Sequence, residues 1–219
     1  MGASLQREEG ASAFRREGQA YDARFRRLIG REAWDLLPAA VQKRFSKRLG
    51  GQAVALYRGC VVETRFNAPG WLLAQALRPI GAPLPLTADR DVPAVVSVSE
   101  DGASGGQVWS RLYGRKRGFP QVIHSAKRFA GSTGLEEYVG RGIGMALRVE
   151  AMTDGLRFIS DHYFLMVGGW RLRLPRWAEP GVTIVEHHDR GGGEFAFDLE
   201  LRHRMLGVLV AQHAIFQDA

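Results

Sequence analysis

The sequence predicts an α+β protein dominated by strands: an antiparallel meander curved into a barrel or cup, with two N-terminal helices ahead of it. Three observations carry that prediction. From Pro93 onward, runs of alternating apolar and polar residues follow one another at short intervals, and only extended backbone turns a period of two into two faces. Turn signals separate the runs: Asp101-Gly102, Thr153-Asp154-Gly155 and the stretch Asp189 to Gly193. Ahead of them, Tyr21, Phe25, Leu28 and Ile29 recur at three- and four-residue spacing with arginines between, the pattern of an amphipathic helix.

Taken in order, residues 1–15 are small, polar and charged and read as a disordered tail, leaving 16–219 as one domain with a helical front end (16–50) and an antiparallel β region (53–219). Gly30 ends the first helix. A second helical segment starts near Arg31 with Trp34, Leu36 and Leu37; Pro38 resets the backbone, and Val41 and Phe45 continue the stripe toward Gly50 and Gly51. Ala53–Phe66 is the first long strand, with Val54, Leu56, Cys60, Val62 and Phe66 on one face and a bulge at Gly59. Trp71–Leu77 reads as a short helix after Pro69, closed into a loop by Pro79, Pro83 and Pro85.

The strands that follow are Pro93–Glu100, Gln107–Tyr113, Pro120–Ala130, Leu135–Arg141, Ile143–Met152, Gly155–Met166, Trp170–Leu174, Val182–His188, Glu194–Arg202 and Gly207–Phe216. In Trp170–Leu174 the apolar face is Trp170, Leu172 and Leu174, and Arg171 and Arg173 take the other. The connections leave no room for crossover helices, so neighbours pair antiparallel. Such a sheet buries a face only by curling around its own side chains or against the helices, which dock through Phe25, Leu28, Trp34 and Leu37.

At 219 residues with a formal net charge of +7, the chain suits a single buried core. The charge is local: residues 1–48 hold 11 Lys and Arg against 6 Asp and Glu, leaving 19 against 17 for the rest. A solvated helix face explains it without a specific nucleic-acid partner. One cysteine, Cys60, allows no intrachain disulfide, residues 1–20 lack the apolar core of a signal peptide, and no apolar run is long enough to span a bilayer. A cytoplasmic location is the expectation.

Several residues invite a chemical role. His187 and His188 are adjacent on a strand and point to opposite faces, so they do not chelate one ion together, and no metal or cofactor site is expected. Counting by twos from Leu156 reaches Phe158, Ser160, His162, Phe164 and Met166, so Ser160 and His162 interrupt an apolar wall and need polar partners there. The Asp161-His162 pair lacks a glycine-framed nucleophile and a third orienting acid, and is not a hydrolase signature. Trp109, Arg111 and Tyr113 share a face and read as cross-strand packing, and Arg115-Lys116-Arg117 as a solvated hairpin tip.

Val108-Trp109-Ser110-Arg111-Leu112-Tyr113-Gly114, Leu174-Pro175-Arg176-Trp177 with Pro180, and Gly193-Glu194-Phe195-Ala196-Phe197-Asp198 leading into Leu206 to Val210 occur in that order, after Phe25–Gly30 and Asp91-Val92-Pro93. In these motifs the chain resembles, from about Phe25 to its C-terminus, a bacterial domain-of-unknown-function family. Its members occur alone or behind reductase domains of the short-chain-dehydrogenase or saccharopine-dehydrogenase-like type. Gln212-His213 stands where members tend to carry a tyrosine-containing strand. The resemblance transfers no catalytic residue. No glycine-rich phosphate loop follows a strand here, so any role as a helper to a reductase would be supplied in trans.

The expected function is a non-catalytic module whose β cup binds an apolar or amphipathic small molecule, a lipid or the substrate of a partner reductase, with Ser160, His162, Phe164, Trp170 and Trp109 as its binding residues. Two other readings stay open: an enzyme acting through Asp161 and His162, and an interaction domain without a ligand.

Overall fold

The computed structural model describes residues 19–51 and 53–218; the expected tail, 1–15, lies outside the described residues. A short ribbon pairs β1 (Gln19–Tyr21) with β2 (Lys47–Leu49) and brackets helices α1 (Arg24–Ile29), α2 (Arg31–Asp35) and α3 (Ala39–Phe45). Gly30, at φ +86°, lets the chain turn between α1 and α2, and Pro38 splits the second helical segment into α2 and α3. Then follow β3 (Val54–Phe66), α4 (Ala68–Ala76), β4 (Arg90–Asp101), β5 (Gly106–Tyr113), β6 (Gln121–Arg128), β7 (Glu136–Gly140), β8 (Ile143–Ala151) and β9 (Gly155–Val167). β10 (Trp170–Arg173), β11 (Val182–Gly191), β12 (Glu194–His203) and β13 (Gly207–Asp218) complete the chain.

Ten of these strands close into an antiparallel barrel. The order is β9-β11-β12-β13-β3-β4-β5-β6-β7-β8, and β8 pairs back onto β9. Closure leaves the barrel no free edge. β10 pairs with β9 alone, along Phe164–Val167, where β11 no longer reaches. Because the barrel strands run antiparallel, successive connections alternate between the two ends, the β9–β11 connection passing through the short β10 at one of them.

The N-terminal helices plug one end. Phe25, fully buried, meets Phe45, Phe129 and Phe158 edge-to-face at 5.3, 5.1 and 6.1 Å, and Trp34, Leu37 and Val41 pack in the same cluster with Leu135, Leu147 and Leu156. Each such side chain contributes about 1.5–3 kcal/mol on burial, which is why the amphipathic stripe docks rather than stands free. A second cluster fills the barrel wall opposite, around Tyr57, Trp109, Phe195, Phe197 and Phe216.

Three face assignments are corrected by the structure. In β3 the buried residues are Tyr57, Val61 and Thr64, whereas Val54 and Leu56 are exposed. The expected face holds more apolar residues, yet Tyr57 and Val61 turn inward and the parity passes to Thr64 across a register shift that leaves Val62 as the extra residue, opposite His213 and Ala214 and not at Gly59, where a Cβ would lie 2.0 Å from the Ile215 carbonyl oxygen. In β10 both faces are exposed, and Arg171 reaches the buried carboxylate of Glu136 at 2.6 Å while Trp170 and Leu172 face solvent. In β9 the register slips by one residue between Ser160 and His162, opposite Ala146 and Leu147. That bulge reverses the parity. Leu156, Phe158 and Ser160 face the interior, and Tyr163 takes over the inward role, so His162 and Phe164 lie on the outer face.

Candidate binding cavity

At the end of the barrel away from the N-terminal helices, a cavity of about 300 Å³ opens between α4, the proline-rich strap 80–85 and the loop 174–180. The volume lies at the lower bound of ordinary small-molecule sites, roughly 300–1,000 Å³. Its wall is largely aliphatic, with Leu73, Leu77, Ile143, Met145, Leu199 and Leu201 among the lining residues.

Local chemistry holds the mouth in place. Asn67 caps α4 by accepting from Gly70 N at 2.8 Å, and its amide donates to Leu206 O at 2.8 Å, tying α4 to the β12–β13 turn. Gly70 allows the helix to touch β13, since a Cβ there would sit 1.8 Å from Leu209 O. Gln121 binds the strap three times: its amide donates to Ala82 O and Leu84 O, and its carbonyl accepts from Leu86 N. On the other side, Glu179 accepts from Tyr163 N at 3.2 Å.

Deeper in the cavity the wall becomes charged. Arg111 and Glu137 line it, and Lys127 stands behind them, fully buried. Lys127 Nζ lies 3.0 Å from Glu137 Oε2; Arg111 Nη2 donates to Ser125 Oγ at 3.1 Å and to Glu137 Oε1 at 3.4 Å. Burial alone would push the Glu137 carboxyl up, but Lys127, Arg111 and the Ser125 hydroxyl outweigh it and hold it at about 2. Burial lowers Lys127 despite Glu137. Two cations thus share one carboxylate, and among the described residues only Nη2 of the Arg111 guanidinium has a hydrogen-bond partner. Elsewhere in the lining Tyr163 and Thr183 share a 2.6 Å hydrogen bond, and Gln212 donates to Thr64 Oγ1 at 3.0 Å.

The residues expected to bind ligand are dispersed. Ser160 sits behind the cavity wall, where its hydroxyl accepts from Thr183 N at 2.9 Å. His162 and Phe164 are on the outer face, Phe164 packed against Tyr138 at 5.5 Å and His162 bonded to Asp161 at 2.8 Å. Asp161 is held below the usual carboxylate range by that bond and is also near Arg148, at 3.4 Å. The pair is exposed and apart from the cavity, so no substrate held in the barrel reaches it. Trp170 is exposed, and Trp109 is packed in the core below the cavity, its ring 5.0 Å from Lys127 Nζ. The shared face of Trp109, Arg111 and Tyr113 is the barrel interior.

Below the charged layer, His187 is enclosed by Phe45, Trp109, Phe158, Phe195 and Phe197, with its Nδ1 unpartnered among the described residues. Burial holds its pKa well below the ordinary histidine value. Among the described residues no three His, Cys, Asp or Glu side chains form a metal-binding group, and no helix is long and apolar enough to cross a membrane.

Sequence reasoning missed Arg111 as a site residue, and with it Glu137 and Lys127. The available signal was parity: Glu137 alternates with Leu135 and Val139, and Lys127 with Ile123 and Ser125, so each charge occupies an interior position of its strand.

None of the curated proteins matches the chain. Residues 37–216, from just ahead of α3 to near the end of β13, match the family model described as "Domain of unknown function (DUF4166)". With the barrel inside that match but for the last two residues of β13, the chain belongs to the DUF4166 family.

Proposed function

We propose that the barrel holds one small amphipathic molecule, apolar body in the mouth and anionic head on Arg111, without acting on it chemically. The observation that carries this reading is the floor of the cavity: a buried lysine and a half-buried, cavity-lining arginine against one carboxylate, beneath an aliphatic wall. A charge short of a partner in a low-dielectric site is costly, and a ligand carboxylate would supply the missing anion to an arginine whose fork donates to two oxygens. The volume, about ten water molecules at ~30 Å³ each, houses the head and the adjoining part of a chain, on the order of ten to fifteen non-hydrogen atoms, and a longer tail leaves through the mouth. The family resemblance adds a partner reductase that makes or consumes the ligand.

Titration with a fluorescent polyene fatty acid, together with native mass spectrometry and organic extraction of the purified protein, tests the reading. Wild type is expected to bind the probe, and Arg111→Gln to weaken it by about 10- to 150-fold, the 1.5–3 kcal/mol of a charge-assisted hydrogen bond. Equal binding by the two proteins, or no probe binding to a protein whose native mass carries no ligand, would overturn it.

A further inference from the structure

The end of the barrel that carries the cavity mouth is also where the chain exposes its largest apolar side chains. Phe119, Trp177, Met205 and Trp170 are 91, 86, 77 and 76 % exposed. They sit on four separate connections at this end: β5–β6, β10–β11, β12–β13 and the β9–β10 hairpin. Among the described residues only Leu36, in the helical plug at the far end, is comparably exposed. Four bulky apolar groups standing free on the tips of neighbouring loops have no role in the core, and single-molecule solubility works against them.

Charge is distributed the same way. The connections at the mouth (67–89, 114–120, 141–142, 168–169, 174–181 and 204–206) hold seven Lys and Arg against two carboxylates, Asp89 and Glu179. Both carboxylates are engaged locally, Asp89 with Thr87 and Glu179 with the Tyr163 backbone. The connections at the far end (102–105, 129–135, 152–154 and 192–193) carry no cation and one carboxylate, Asp154. The helical plug there is basic too, but Arg24 pairs with Asp22, Arg26 and Arg31 with Asp35, and Arg44 is buried over the Phe195 ring. At the mouth, cations stand next to large apolar side chains within single loops: Arg115-Lys116-Arg117 precedes Phe119, Arg176 precedes Trp177, and Arg204 precedes Met205.

We propose that this rim docks on an anionic lipid bilayer, with Phe119 and Trp177 at headgroup depth and the flanking cations on lipid phosphates. Aromatic rings prefer the membrane–water interface, and each Lys or Arg near an anionic leaflet strengthens attachment severalfold. A nucleic acid would use the cations and stacking rings but gives no reason for Met205 and its exposed neighbour Leu206 on the same rim. Docking in this orientation opens the cavity onto the bilayer, although the rim itself is independent of what the cavity holds.

Co-sedimentation of the full chain with vesicles of phosphatidylcholine alone and with added phosphatidylglycerol tests the proposal. Wild type is expected to pellet with the anionic vesicles and to be released by high salt. Phe119→Ser/Trp177→Ser and Arg115→Gln/Lys116→Gln/Arg117→Gln should each lower the bound fraction at least tenfold, at about fivefold per cation removed, with circular dichroism and melting temperature unchanged. Absence of pelleting with anionic vesicles overturns the proposal. So does pelleting indifferent to both rim variants but lost in Arg26→Gln/Arg27→Gln/Lys43→Gln, and so does equal competition by single-stranded DNA with no dependence on Phe119 and Trp177.

Discussion

Glu137→Gln keeps the shape of a side chain that is only 5 % exposed and removes its charge. Among the described residues Lys127, 3.0 Å away and 4 % exposed, then has no anion within reach, and Arg111 loses its only carboxylate. Removing one member of a buried pair typically costs about 3–5 kcal/mol. The loss is capped by the option Lys127 has of shedding its proton, which burial already favours. At about 2–4 °C per kcal/mol for a chain of this size, the melting temperature should fall by roughly 6–20 °C at neutral pH.

Urea and thermal denaturation of Glu137→Gln, Lys127→Met and Lys127→Met/Glu137→Met give the decisive comparison. Replacing both charges by apolar groups removes the desolvation cost along with the attraction, so the double variant should be more stable than either single one. Arg111 lines the cavity and keeps access to water in that variant. The acid limb gives a second reading. Glu137 sits at about 2 when folded, against an ordinary value of 4.5. Its contribution is therefore present above about pH 4.5 and lost as pH falls toward 2, and Glu137→Gln should lack that segment of the curve. Because Glu137 competes for Arg111, the same variant should bind the fatty-acid probe more tightly while being less stable. Stability within about 1 kcal/mol of wild type, or single losses that simply add in the double variant, would refute the reasoning.

Three further outcomes follow from the geometry. His187 folds neutral in an aromatic cage, so the unfolded state takes up a proton that the native state refuses: its contribution is present above about pH 6.5 and falls below it by up to ~1.4 kcal/mol per unit. His187→Leu should flatten that slope in denaturation curves between pH 5 and 7, and an unchanged slope would mean the ring is protonated in place. Gly155→Ala would put a Cβ 1.8 Å from His187 O across the β9–β11 ladder, and should cost about 1–3 kcal/mol by chemical denaturation; a loss below half of that would show that the two strands separate freely. His162→Phe should leave probe affinity unchanged, because the ring lies on the outer face beside Phe164; a tenfold loss would place it in the cavity after all.

Apart from β10, which pairs with β9 and leaves β9 to pair with β11, the strand order and nearly every strand boundary were legible because short connections between alternating segments permit only an antiparallel meander. Which face turns inward was less legible, and β3 and β9 show why. In β3 both faces carry apolar residues, and the inward parity changes between Val61 and Thr64 where pairing with β13 slips by one residue, which a pattern within one strand does not contain. In β9 the parity is right through Ser160 and inverted from His162 onward, because a bulge at Asp161 adds one residue without any glycine or proline to mark it. One uncounted residue moved His162 and Phe164 from the expected binding wall to the outside.

The charged floor was hidden for a different reason. A lone Arg111 between Trp109 and Tyr113 has the pattern of a strand whose polar residue reaches to solvent, and Glu137 in Leu135-Glu136-Glu137-Tyr138-Val139 looks no different from its exposed counterparts. The three charges become mutually consistent only when β5, β6 and β7 are placed in register, where Trp109 stands opposite Ser125 and Lys127 opposite Glu137. Their positions are the signal: each falls on the apolar parity of its own strand, and opposite signs fall on adjacent strands. A chain that places Lys127 and Glu137 at paired inward positions has given up hydrophobic stabilisation there, since a well-packed apolar pair of the same volume is usually at least as stable. Such a pair accounts for its retention when it holds Arg111 forward, with free donors, at the bottom of an aliphatic cavity. The same logic separates the ion pair from the cage beneath it: His187 is unpartnered, uncharged and sealed by aromatic rings, and so has no route to a ligand, while Arg111 is charged, underpaired and open to one.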